Sequence, residues 1–148
     1  MSSFSSEYDC KLDAKGRLAL PSKVKSALPE LNGGELVLRR GFEPCVVLYT
    51  SLEFKKINSR VKSLSEFNDE NRRFQRSFFR GNFDVEMDGS GRINIPKRLM
   101  DYAGLEKEVI LVGMGNRVEI WNPDRYEDYL VQDPNEYSQM AERLLADD

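Results

Sequence analysis

The chain has 148 residues, about the length of one ordinary domain and enough to bury a real core. Its 22 basic and 25 acidic side chains leave a balance of −3, which taken whole argues against a polycation that coats nucleic acid. Histidine is absent and there are only two cysteines, Cys10 and Cys45, so His-dependent catalysis, His metal sites, a four-thiolate zinc site and a disulfide framework are excluded, and no metal or cofactor is expected.

Met1-Ser2-Ser3-Phe4-Ser5-Ser6 lacks the basic and apolar regions of a signal peptide. The longest apolar run, Cys45 to Tyr49, is far short of the roughly 20 residues a membrane helix needs. A soluble, cytoplasmic protein without a membrane partner is expected. Tyr8, Cys10 and Leu12 then alternate with polar residues, the period of a half-buried strand. Gly16 supplies a tight turn, Leu18 and Leu20 resume the alternation, and the motif reads as a hairpin. Pro21 opens a short helix at its first position, through Lys23 to Leu28. Two strands follow, Glu35 to Arg39 and Cys45 to Tyr49, and Thr50-Ser51-Leu52-Glu53 fits a capping box for the next helix.

From Ser65 to Arg80 the pattern is that of an amphipathic helix. At about 100° per residue Phe67, Phe74 and Phe78 share a face that should pack on the rest, and Arg72, Arg73, Arg76 and Arg80 gather opposite, as a solvated surface or a further contact. Phe83, Val85 and Met87 then repeat the first alternation, Gly91 the turn, Ile93 and Ile95 the second strand, and Pro96 a helix from Lys97 to Tyr102. Glu108 to Val112 and Val118 to Trp121 form the last strand pair, and Asn122-Pro123-Asp124 offers a helix cap with Pro at the first position. Asp133-Pro134 separates two C-terminal helices.

The two halves are copies. A shift of 75 places lays Leu12 to Pro21 over Met87 to Pro96 with Asp, Gly, Arg and Pro coincident, and Glu35-Leu36-Val37-Leu38 over Glu108-Val109-Ile110-Leu111 at a shift of 73. The domains expected are a first repeat over 7–54, a linker with an amphipathic helix over 55–82, a second repeat over 83–126 and an acidic helical tail over 127–148. Charge is spread unevenly along the chain. Residues 1–100 hold 18 basic and 13 acidic side chains, whereas residues 101–148 hold 4 and 12.

The chemistry lies in Asp-x-x-x-Arg, present twice. Asp13 and Arg17, like Asp88 and Arg92, would face each other across a turn, with the carboxylate gripping the guanidinium through two parallel hydrogen bonds. Alone, such a pair is a turn staple worth about 0–1 kcal/mol. Basic surroundings favour more: Lys11, Lys15, Lys23 and Lys25 cluster in the first copy, and Lys97 and Arg98 in the second. An Arg held by an Asp at a turn tip is pre-oriented, so its fork loses little freedom on meeting a guanine edge or a phosphate.

These motifs resemble those of the MraZ family, regulators built from two repeats of the SpoVT-AbrB class. The resemblance extends to Leu36-Val37-Leu38-Arg39-Arg40-Gly41, Phe78-Phe79-Arg80-Gly81, Tyr102-Ala103-Gly104-Leu105-Glu106 and Glu119-Ile120-Trp121, and covers about residues 7 to 129. It implies an α+β, mainly β fold in which two swapped-hairpin repeats interleave as a pseudo-dimeric small β-barrel flanked by helices. It also implies a homo-oligomeric ring on the nucleoid that binds short direct repeats upstream of the cell-division and cell-wall gene cluster, its own gene included. Arg17 and Arg92 would touch the DNA, Asp13 and Asp88 would aim them, and Lys15, Lys11, Lys23 and Arg98 would add contacts; no small-molecule substrate is implied.

Three rivals stand beside this. An AbrB-like antitoxin would use the acidic tail against a toxin, although such proteins usually carry one repeat per chain; a scaffold without DNA binding is the blander form. An enzyme would need a carboxylate pair among Asp84, Glu86 and Asp88, yet Glu86 corresponds to Lys11 in the other copy, an exchange no catalytic site should tolerate. Cys10, Cys45 and Trp121 read as core.

Overall fold

The computed structural model describes residues 3–28 and 35–146; the first two residues of the N-terminal stretch and the last two of the acidic tail lie outside the described residues. The first copy runs β1 (Glu7–Lys11), β2 (Arg17–Ala19), α1 (Ser22–Ala27), β3 (Glu35–Arg40), β4 (Val46–Thr50) and α2 (Ser51–Lys62). After α3 (Asp69–Phe79) the second runs β5 (Phe83–Glu86), β6 (Arg92–Asn94), α4 (Lys97–Ala103), β7 (Glu108–Gly113), β8 (Val118–Trp121) and α5 (Pro123–Glu127), followed by α6 (Pro134–Leu145).

Period-two alternation turns Tyr8 and Cys10 of β1, and Phe83 and Val85 of β5, towards the core as expected. Their partners come from the opposite copy. β1 lies antiparallel to β7 with Tyr8 opposite Leu111, and β5 lies antiparallel to β3 with Val85 opposite Leu36. Together with the central β4–β8 pair, this gives a six-stranded sheet ordered β1-β7-β8-β4-β3-β5. The expected hairpin survives only as its turn. Beyond a single bridge between Leu12 and Leu18, the strand after Gly16 leaves β1 and pairs with β6, forming a separate two-stranded ribbon. Each of these three-residue strands has one inward side chain, and crossing to the other copy places Leu18 opposite Ile93, 0% and 1% exposed.

The repeats therefore interleave, in an α+β architecture dominated by one antiparallel sheet. One detail of the expected fold is corrected: the sheet is not closed into a barrel. The edge strands β1 and β5 both turn out of the sheet at Asp13 and Asp88 to form the ribbon, and do not pair with each other.

Both sheet faces are covered, which explains why β3 and β4 read as continuous apolar runs. Leu36, Leu38, Val46 and Leu48 face the core shared with the ribbon, α1 and α4, whereas Val37, Val47 and Tyr49 pack on the other face with Trp121, Tyr126, Phe54 and Ile57. Cys45 is fully buried and Cys10 half-buried against the core.

The helix starts refine the expected ones. Thr50 Oγ1 accepts from the Glu53 amide at 3.2 Å, but the Glu53 carboxylate turns to Lys56 instead of completing a capping box. Asn122 caps α5 with Pro123 at its first position. Pro21 and Pro96 occupy the cap itself rather than the first helical position, with φ of −58° and −59°. The linker helix begins at Asp69, not Ser65, because the Asn68 side chain accepts from the Asn71 amide; Phe67 falls before the helix and is 88% exposed, while Phe78 is buried.

Candidate nucleic-acid interface

Each Asp-x-x-x-Arg segment folds into the same turn. Asp13 Oδ1 accepts from the Lys15 and Arg17 amides, both at 2.9 Å, and Oδ2 accepts from Arg17 Nε at 2.7 Å. In the second copy Asp88 Oδ1 accepts from the Ser90 and Arg92 amides at 2.8 and 2.9 Å, and Oδ2 from Arg92 Nε at 3.0 Å. The backbone closes both turns identically: the Gly16 and Gly91 amides donate to the Asp carbonyls at 3.0 Å, and each glycine has a φ of +79°, which a side chain would strain. The Arg amide first, with the Arg side chain and the third-residue amide adding to it, lowers the Asp13 carboxyl to about 2 and lowers Asp88 in the same sense.

The expected grip is corrected in one respect. The carboxylate does not hold the guanidinium through two parallel bonds, because one oxygen is spent on backbone amides. Only Nε is engaged. Among the described residues no side chain or carbonyl accepts from the Nη groups of Arg17 or Arg92, so the outer edge of each fork is left for another partner.

The ribbon brings the two forks together. Leu18 and Ile93 point inward, so Arg17, Ala19, Arg92 and Asn94 share the outer face, with Arg17 opposite Asn94 and Arg92 opposite Ala19. One strand spacing and two residues of rise set the two Arg α-carbons about 8 Å apart. A DNA major groove, about 12 Å wide, admits a two-stranded ribbon in general, and an Arg fork matches the O6 and N7 acceptors that guanine presents there.

The other expected residues divide. Lys15 is exposed at the tip of the first turn, next to Arg17. Lys23 and Arg98 are exposed at equivalent places in α1 and α4. Lys11 stands on β1 opposite Glu108, outside the ribbon. The basic neighbourhoods are exchanged between copies: α4 lies against the first turn, with Met100 beside Gly16, and α1 against the second, with Lys25 beside Gly91. Lys25 belongs spatially to the second turn, although in sequence it clusters with the first. Asn94, like Ala19, lies on the ribbon's outer face without being singled out by the repeat motif; its outward place follows from alternation with Ile93 and Ile95.

Asp84 and Glu86 are exposed on β5, opposite Val37 and Glu35, and the Asp88 carboxylate is occupied by its own turn. Among the described residues no three Cys, Asp or Glu side chains converge to hold a metal ion, and no helix is long and apolar enough to cross a membrane.

Comparison with known proteins gives a consistent picture. A family model described as "MraZ protein, putative antitoxin-like" matches twice, over residues 3–77 and 78–148. The chain is also similar to the transcriptional regulator MraZ of Cytophaga hutchinsonii, 58% identical over 146 residues that cover 99% of this chain and 97% of that protein. On a match that runs through both repeats, the chain belongs to the MraZ family.

Proposed function

We propose that the chain is a sequence-specific DNA-binding transcriptional regulator, and that it recognises short direct repeats upstream of the cell-division and cell-wall gene cluster, its own promoter included. The observation that carries this reading is the pair of Asp-aimed arginines on one ribbon face, each with its Nη edge unused. Arg17 and Arg92 would donate to base edges or phosphates, and Asp13 and Asp88 would hold Nε so that each fork arrives oriented. Lys15, Lys23 and Arg98 would meet the phosphate backbone, which positions a protein without reading sequence. Lys11, beside Glu108 and off the ribbon, is the weakest of the set.

Self-association into a ring belongs to the same reading. An apolar pair outside the core supports it: Phe42 stacks on Phe74 at 6.4 Å and is 67% exposed. A ring multiplies a weak module, since neighbouring ribbons engage adjacent repeats as one multivalent ligand. Such a protein works in the cytoplasm, at the nucleoid.

An antitoxin role is the second reading, favoured by the exposed amphipathic face of α6 on an acidic tail. A toxin that copurifies with the protein would promote it.

The direct test is a mobility-shift titration with DNA from upstream of the protein's own gene, at several salt concentrations. Each neutralised phosphate contributes a slope of about −0.9 to log K against log salt. Arg17→Ala and Arg92→Ala should each weaken binding to this DNA by roughly 5- to 150-fold, the loss of one bidentate base contact, while leaving the fold intact; unchanged affinity in both variants would reject the reading.

A further inference from the structure

The two turns match in hydrogen bonding but differ in charge. The first carries Lys15 at its third position and the second carries Ser90. Taken in sequence, the second turn is one positive charge short.

The shortfall is made good across the copies. Over each turn glycine lies a side chain from the opposite repeat, and the two side chains occupy equivalent places, 75 residues apart. At the first turn it is Met100, whose Sδ stands 3.2 Å from where a Cβ on Gly16 would be. At the second it is Lys25, whose Nζ stands 2.8 Å and Cδ 3.0 Å from where a Cβ on Gly91 would be. The bare α-carbon of Gly91 is what admits the lysine stem, and the stem lays the ammonium along the turn that contains Ser90 and Arg92. None of the ion pairs among the described residues involves Lys25. Each turn thus ends with one Asp, one Arg and one Lys, the lysine coming from within the first turn and from the other copy at the second.

We propose that Lys25 is the phosphate contact of the second turn, the counterpart in space of Lys15 at the first. The inference rests on the reading of the turns as DNA contacts. An ammonium on a flexible stem acts as a point charge, suited to a phosphate oxygen rather than to a base edge. The interleaved fold is then part of the recognition surface itself, because neither repeat alone carries a complete second turn.

The experiment uses the full chain and two duplexes, one from upstream of its own gene and one of random sequence, read by fluorescence anisotropy across a salt series. Lys25→Met installs the residue that α4 carries at the equivalent place, so packing is preserved. It should weaken binding to both duplexes several-fold and reduce the salt slope by about 0.9. Lys25→Arg should keep the slope. Lys25→Met together with Met100→Lys moves the charge to the first turn and should restore the slope without restoring the wild-type affinity for the promoter duplex. If Lys25→Met binds with unchanged affinity and slope while Arg92→Ala loses binding, the assignment of Lys25 is wrong and the reading of the turns stands. If Arg17→Ala and Arg92→Ala both bind as wild type, the turns do not hold DNA and both ideas fall.

Discussion

Leu18 of the first repeat and Ile93 of the second face each other across the β2–β6 ribbon and are almost completely buried. The flanking backbone ties the turns to the same pair: the Leu20 amide donates to the Gly91 carbonyl at 3.1 Å, and the Ile95 amide to the Gly16 carbonyl at 2.9 Å. Neither turn is built by its own repeat alone.

Leu18→Ala and Ile93→Ala should therefore each cost about 2–5 kcal/mol, the range for truncating a buried aliphatic side chain. Each should disturb both turns, not only the one nearby. Urea unfolding gives the stability change, and amide chemical shifts at Lys15 and Ser90 report the two turns separately. A perturbation confined to one turn would contradict the coupling.

Arg17→Ala and Arg92→Ala are predicted to behave in the opposite way. Their side chains are about a third exposed and their ion pairs lie at the surface, where solvent screening leaves such pairs little to add to stability. Stability should hardly move. Loss of a bidentate base contact costs about 1–3 kcal/mol of discrimination, so each variant should bind promoter DNA roughly 5- to 150-fold more weakly, with random DNA affected less. Competition between the two duplexes measures the ratio.

Acid should release the turns late. The Asp13 carboxyl titrates at about 2 in the native state against 3.8 for an unperturbed group, and Asp88 is shifted in the same direction. A carboxylate with a depressed native pKa stabilises the fold above its unfolded pKa, and that contribution is lost as pH falls through the native value. Between neutrality and about pH 4 the turns should stay latched. In an NMR titration the Lys15 and Arg17 amides should move together with a midpoint near 2, and Asp13→Asn should abolish the step. A midpoint in the ordinary carboxylate range would show that the amides are not held.

Much of this arrangement is legible in the residues. The repeat, the alternating strands, the glycine turns and the Asn122 cap follow from local pattern, because each is decided by neighbours in sequence. Strand partners do not. Alternation puts Tyr8 and Cys10 on the inner face of β1 whichever strand lies alongside, and nothing local chooses β7 over β2. Lys25 is misplaced for the same reason, since its neighbourhood is set by which copy α1 packs against. Phe67 fails through a boundary error: a helix counted from Ser65 brings it onto the Phe78 face, and the signal that removes it is Asn68, a good cap residue just before Asp69.

Arg39 shows a structural role hidden in a strand. It is 3% exposed on the face it shares with Val37, and its guanidinium lies 4.0 Å from the Phe78 ring centroid. Its Nε donates to Asn82 Oδ1 at 3.1 Å and Nη2 to the Phe78 carbonyl at 3.3 Å, which fastens the end of α3 to β3. Arg39→Met keeps an apolar stem but leaves these acceptors unpaired, and should cost about 2–4 kcal/mol in urea unfolding. Arg39→Lys should not rescue it, since one ammonium cannot reproduce a planar fork stacked on a ring.

The acidic tail is predicted to restrain binding rather than hold the fold. Tyr126 and Tyr129 pack on Trp121, at 5.6 and 5.2 Å between ring centroids, whereas α6 beyond them has no buried residue. Truncation after Tyr129 keeps those aromatic contacts and should leave the melting temperature nearly unchanged. It removes five acidic side chains and one basic, taking the chain from 22 basic and 25 acidic to 21 and 20. The overall −3 thus averages a basic region bearing both turns with an acidic end, and the excess of acid disappears with the tail. Affinity for random duplex DNA should rise at about 0.05 M salt and the gain should shrink at about 0.3 M, as screening shortens the reach of the tail charges. A gain that persists at the higher salt would instead mean that the tail blocks the ribbon by contact, and no gain at either salt would remove the tail from DNA binding altogether.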